Sequence, residues 1–199
     1  SHDAAIAKCA QIIGKGGLVA FPTETVYGLG SDAENPIAVA GIFDVKGRPR
    51  IDPLIIHVSD QGMAERYGIF PQSARSLAAK FWPGPLTLIV PKQKTVPGIV
   101  TAGLETVGIR MPGHPAALKL INALGRGIAA PSANLFGYVS PTEARHVVEQ
   151  LSGRIEGILD GGPCAIGLES TILSLVGDSP CILRPGGAAM EDLISLMGP

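Results

Sequence analysis

Residues 21–30 read FPTETVYGLG, and what surrounds them decides the fold. Leu18-Val19-Ala20-Phe21 is a short apolar run between breakers, which predicts a buried strand. Thr23, Glu24 and Thr25 then stand in a row at the mouth of that strand, ahead of Gly28 and Gly30. Two hydroxyls and a carboxylate placed there call for a partner or a ligand.

Upstream, Ile6, Cys9, Ala10 and Ile13 recur at helical spacing, so residues 3–14 predict a helix that Gly16-Gly17 interrupts. Downstream, Asn35-Pro36 is an N-cap and N1 pair that starts a helix through about Val45. PLIIHVS at 53–59, LTLIV at 86–90, TVGIRMP and GIAAP predict strands, and 72–81 and 115–124 predict helices. Ser140-Pro141-Thr142-Glu143 has the form of a capping box and predicts a helix opening there and running to about Leu151. GILD, STILSLV and CILR supply the last strands, and 188–197 a terminal helix. This order predicts an α/β fold with a mixed sheet, as one domain over residues 3–199, with Ser1-His2 as a cloning remnant.

The 199 residues are 46% hydrophobic, enough for a core without metal or disulfide support, so the 26 glycines and 17 prolines imply loops and not disorder. A formal net charge of −1 excludes the broad basic surface of a duplex-binding protein, and any phosphate binding must be local. Cys9, Cys164 and Cys181 are odd in number and lack metal spacing, as expected of free thiols in a reducing cytoplasm. No apolar run approaches the ~18 residues of a membrane span, and no signal peptide is visible.

VKGRPR places Lys46, Arg48 and Arg50 directly after a helix. They could complement the helix dipole, or clamp an anion through charge-assisted hydrogen bonds. A clamp would leave stability unchanged on substitution and cut turnover. His57, within an apolar strand, reads by default as a core histidine. Arg110 lies between Ile109 and Met111 and needs an anion, either Glu24 or a carboxylate ligand. Ser132, Asn134 and Ser140 in APSANLFGYVSP could be turn and cap residues, or could ring the carboxyl edge of a sheet where α/β folds bind ligands. The phosphate-loop, dinucleotide, zinc and nucleophile-elbow motifs are all absent. Spacing alone thus describes an anion-binding α/β domain.

FPTETVYGLG, Lys46-x-Arg48, DPLIIHV, FWPGPLT, TVGIRMPGHP, APSAN, LESTI and LRPG follow one another across nearly the whole chain. In that order they resemble the YrdC-like threonylcarbamoyl-AMP synthases. The resemblance implies a single domain with a twisted, mostly parallel or mixed sheet flanked by helices around a deep positive cavity. It implies that L-threonine, bicarbonate or CO2, and ATP with Mg2+ give L-threonylcarbamoyladenylate and pyrophosphate. The product would go to downstream threonylcarbamoyl-transfer proteins that modify adenosine 37 of tRNA. Lys46, Arg48, Ser132 and Asn134 match the family's Lys-x-Arg and Ser-x-Asn elements and are the implied catalytic set. Arg48, Asp52, Thr106, Ser132, Ser140 and Arg184 fall where the family holds ATP. Thr25, His57, Arg110, Ala130 through its backbone, and Ser170 fall where it holds threonine. The metal ligands stay unassigned.

Two-domain members of that family continue past this module, so the chain is expected to be either a stand-alone enzyme or a truncated one. Two alternatives stay open. One is a carbamoyl-adenylate-forming domain of the hydrogenase-maturation type, which shares the fold. The other is a non-catalytic RNA-binding module, for which the charge gives no support beyond a weak local contact.

Overall fold

The computed structural model describes residues 2–197. Ser1, Gly198 and Pro199 lie outside them, and with them half of the expected cloning remnant and the last two residues of the expected domain. His2 belongs to the first helix. The elements in chain order are α1 (His2–Gly14), β1 (Val19–Phe21), β2 (Gly28–Asp32), α2 (Pro36–Lys46), β3 (Ile55–His57), α3 (Gln61–Glu65), α4 (Gln72–Phe81), β4 (Leu86–Pro91), β5 (Thr106–Arg110), α5 (Pro115–Leu124), β6 (Ile128–Ala130), α6 (Ala144–Leu151), β7 (Gly157–Ile158), β8 (Thr171–Ser174), β9 (Cys181–Arg184) and α7 (Met190–Met197).

The nine strands form one sheet in the order β7-β1-β2-β6-β3-β5-β4-β8-β9. β1/β7, β3/β5 and β4/β8 are parallel, and the other five neighbouring pairs are antiparallel. The sheet is therefore mixed with an antiparallel majority, because several strands return directly from their neighbours without a helical crossover. α1 packs on α5 and on β1 and β2, α2 on β2, and α4 on β4. The apolar positions of α1 that set its period, Ile6, Cys9, Ala10 and Ile13, are all buried. Three cysteines are free, with Cys9 buried and Cys181 exposed. Among the described residues, no helix is long and apolar enough to cross a membrane.

Local signals set most boundaries. Asn35 caps α2, its Oδ1 accepting from the Ile37 and Ala38 N–H groups at 3.1 and 3.2 Å, with Pro36 at N1 and Gly47 as C-cap. The structure departs from expectation in three places. β2 follows β1 as its antiparallel partner, although GLGSD carries no apolar alternation. Gly30 makes this pairing fit: a Cβ there would lie 2.6 Å from Ile128 Cγ2 and 2.8 Å from the Phe21 ring. α3, a short helix capped by Asp60, has too few residues to show a period. The capping box at Ser140 does not form. α6 starts at Ala144 with Glu143 at the N-cap, and the Glu143 side chain makes no capping bond but accepts from Arg145. Tertiary bonds use the segment instead: Pro141 O accepts from Tyr27 N–H, Thr142 O from Cys164 N–H, and the Ser140 hydroxyl donates to Glu169.

Candidate active site

Of the six residues between β1 and β2, Thr23, Thr25 and Val26 line one wall of a cavity of about 280 Å³, near the lower end of the range for ligand pockets. Thr23 builds the turn. Its Oγ1 donates to Val26 O at 2.6 Å and accepts from the Thr25 and Val26 N–H groups at 3.2 Å. Thr25, also fully buried, lies 2.9 Å from that hydroxyl and lines the cavity. Glu24 turns to Arg110, whose Nη2 donates to Glu24 Oε1 at 2.6 Å, while Gly113 N–H donates to Oε2 at 2.8 Å. The anion for Arg110 is thus Glu24. Their side chains are 4% and 13% exposed, and the guanidinium Nε also donates to Gly84 O at 3.2 Å. Burial lowers the Arg110 pKa, and Glu24 opposes that shift.

Parallel pairing of β3 with β5 sets His57 beside Arg110 in the same wall. The imidazole is buried edge-on to Phe21, and among the described residues Nδ1 has no hydrogen-bond partner. Burial, and next the Arg110 charge, push its pKa down to about 3 from an ordinary 6.5. The folded state therefore binds fewer protons at this site than the unfolded chain. Stability conferred here is complete above about pH 6.5 and is lost as pH falls toward 3. Melting curves of the wild type should move to lower temperature below pH 6.5, and those of His57→Phe should be flatter over that window. Parallel curves would show that His57 is not held neutral.

The loop after α2 forms the next wall. Arg48 pairs with Asp52 at 2.9 Å and donates to the carbonyls of Asp52 and Pro53, and both Arg48 and Asp52 line the cavity. Lys46 does not line it. Its side chain is buried, and Nζ donates to Ser132 O at 2.6 Å and to Asn134 O, with Asn134 Oδ1 at 3.5 Å. Asn134 Nδ2 donates to Leu135 O and Tyr138 O. Lys46 and Asn134 thus fold the loop that presents Ser132, itself a lining residue. Burial, and next Arg48, lower the Lys46 pKa to about 8.

β4, β8 and β9 complete the cavity. Ser170 Oγ lies 2.8 Å from Thr87 Oγ1, and Arg184 donates to Ser170 O from Nε and Nη2 at 3.1 and 3.0 Å. Arg184 Nη1 pairs with Glu169, whose other oxygen accepts from Ser140. Thr106 and Ala130 line the cavity, whereas Ser140 stands behind Glu169 and is not in the lining. Ten of the thirteen candidate residues therefore meet in one space, and Lys46, Asn134 and Ser140 support it from outside. The lining carries three guanidiniums, each paired with a carboxylate: Arg48 with Asp52, Arg184 with Glu169, and Arg110 with Glu24, which stands outside the lining. Glu169 and Thr87 were missed by sequence reasoning. Glu169 lies within LESTI beside Ser170, but its partners are 15 and 29 residues away, beyond any local pattern.

Comparison with known proteins gives consistent relatives. A Sua5/YciO/YrdC family model described as "Telomere recombination" matches residues 11–186. A protein of Bacillus subtilis named threonylcarbamoyl-AMP synthase is 53% identical over 201 residues, covering 100% of this chain and 58% of that protein. One of the same name from Pyrococcus abyssi is 52% identical, covering 95% and 56%. The crystal structure of P. abyssi Sua5 complexed with L-threonine superposes with a TM-score of 0.97 at 50% identity, covering 98% of this chain and 58% of that one. The chain thus spans a little over half the length of these relatives.

Proposed function

The chain belongs to the Sua5/YciO/YrdC family, and from that premise we propose that it is an L-threonylcarbamoyladenylate synthase. Its reaction joins L-threonine, CO2 or bicarbonate, and ATP into L-threonylcarbamoyl-AMP and pyrophosphate, a nucleotidyl transfer. The observation that carries this reading is the convergence of both implied subsites on one cavity: Thr25, His57, Arg110, Ala130 and Ser170 for the amino acid, and Arg48, Asp52, Thr106, Ser132 and Arg184 for the nucleotide. The names of the relatives and the threonine bound by P. abyssi Sua5 point the same way.

The chemistry needs three things from the protein. The threonine amine must reach CO2 as a free base, the carbamate oxygen must face the α-phosphate, and water must be kept from the short-lived carbamate. Neutral His57 beside Thr25 and Arg110 gives the amino acid a site that places no second cation next to its amine. Arg110 is held by Glu24 and Gly84 through Nη2 and Nε, and we assign its Nη1 donors to the substrate carboxylate. The carbamate oxygen then forms a bond to the α-phosphorus as the bond to pyrophosphate breaks. Arg48 and Arg184 stabilise the charge that accumulates on the phosphates. Lys46 and Asn134, placed by resemblance in the catalytic set, act by shaping the loop that carries Ser132.

Mg2+ brought in with the nucleotide would supply neutralisation of phosphate charge. The lining carboxylate of Asp52, half exposed, is an oxygen donor of the kind that ion takes. The product would pass to proteins that transfer the threonylcarbamoyl group to tRNA in the cytoplasm. Incubation with ATP, Mg2+, bicarbonate and each amino acid should release pyrophosphate only in the presence of threonine. Release independent of threonine, or dependent on carbamoyl phosphate, would overturn the reading in favour of the hydrogenase-maturation type.

A further inference from the structure

The Glu169 carboxylate bridges two donors that belong to separate segments. One oxygen accepts the Ser140 hydroxyl at 2.7 Å, and the other pairs with Arg184 Nη1. A hydroxyl and a guanidinium converging on two oxygens of one anionic group is also how a phosphate is held. We propose that Glu169 is an internal anion that occupies the phosphate-type donors of the cavity, and that an incoming phosphate group must displace it. This rests on the reading of the cavity as a nucleotide site and deepens it, because the carboxylate then sets the anion affinity.

Three features separate Glu169 from the other carboxylates paired with cavity arginines. First, Arg184 does not depend on it for position. Nε and Nη2 are engaged by Ser170 O, and Nη2 also reaches Ser170 Oγ at 3.2 Å, so the guanidinium stays in place when Glu169 leaves. Second, the backbone of Glu169 is fixed while its side chain has somewhere to go. Its carbonyl accepts from Gly187 N–H at 2.9 Å, and a Cβ at Gly186 would lie 2.2 Å from that oxygen, so only glycine permits this approach. The side chain is 34% exposed and can rotate toward water. Third, Glu24 lacks this freedom, being 13% exposed and tied to Gly113 N–H as well as to Arg110, and Asp52 bridges no second segment in its pairing with Arg48.

Displacement costs the ion pair and requires two anions to share one space during exchange, so weakly charged anions are rejected and a polyphosphate is accepted. Removing the carboxylate charge should therefore strengthen binding of simple anions, a gain that loss of a purely structural residue would not produce. Inorganic pyrophosphate titrated calorimetrically should bind Glu169→Gln roughly five- to tenfold more tightly than the wild type. Added salt should reduce that gain. Glu169→Ala removes charge and acceptor together, must move in the same direction, and serves if the amide variant does not fold. Unchanged or weaker pyrophosphate binding in the folded variant would overturn the proposal and make Glu169 a support for Arg184. Titrating wild type with ATP separates the two readings. Normal ATP binding with no pyrophosphate gain removes the role of Glu169 alone. A pyrophosphate gain in a protein that ignores ATP keeps Glu169 as an anion gate and removes the nucleotide assignment.

Discussion

Glu24→Ala should lower the melting temperature by roughly 10 °C. Arg110 is 3% exposed, and Glu24 is the carboxylate paired with it. Removing one member of a buried pair strands the other charge, at a cost of about 3–5 kcal/mol. For a chain of this length each kcal/mol is worth about 2–4 °C. The same carboxylate accepts from Gly113 N–H, so the substitution also frees the segment after β5. Thermal melting of Glu24→Ala, Arg110→Met and the double variant forms a cycle in which the double variant should recover part of the loss, since an apolar pair leaves no stranded charge. A shift below about 2 °C in the single variant would mean that the guanidinium finds another counter-charge. Arg110→Met should in addition abolish threonine binding, whereas the nucleotide should still bind.

Lys46→Met should lose both stability and turnover. The phosphate-clamp reading predicts a fully stable variant with impaired catalysis, but Nζ is seen on the Ser132 and Asn134 carbonyls. Methionine keeps the volume and removes the donors, leaving two buried acceptors short of a partner at about 1–3 kcal/mol each, or about 2–6 kcal/mol together. Turnover should fall about a hundredfold because Ser132 loses its support, by analogy with removing a donor from a preorganised site. The pH dependence has a definite sign. The folded pKa is lowered to about 8 from 10.5, so the folded state sheds this proton first. The stability linked to this proton is complete above pH 10.5 and is lost as pH falls through 8. The stability gap between the wild type and Lys46→Met should therefore widen from pH 8 toward 10.5. Unchanged stability in Lys46→Met would restore the clamp, and a gap that narrows with pH would show that the ammonium is not disfavoured.

Much of the fold was legible before any coordinates. Asn35-Pro36 predicts the start of α2 because a cap needs only a side chain and the next three N–H groups. The apolar spacing of α1 and the runs LTLIV and GIAAP predict a helix and two strands because the period of burial is written in neighbouring residues. The motif order likewise indicated which residues would meet, and ten of them do line one cavity.

What each of those residues touches was decided by tertiary structure. GLGSD is a strand only because β1 and β6 lie on either side of it and Gly30 fits under Phe21 and Ile128. Ser140 has a cap-like sequence, in which its hydroxyl would accept from N–H groups of the next turn, but α6 starts only at Ala144 and the hydroxyl instead donates to Glu169, a carboxylate that also faces Arg184. Arg110 finds Glu24 at 86 residues' separation, and Lys46 finds the Ser132 and Asn134 carbonyls at 86 and 88. The sequence by itself determines turns, caps and periods, because these arise within one or two turns of chain. Which charge neutralises which depends on distances that exist only after the sheet has closed, and the strength of each pair depends on how much water the closed sheet excludes.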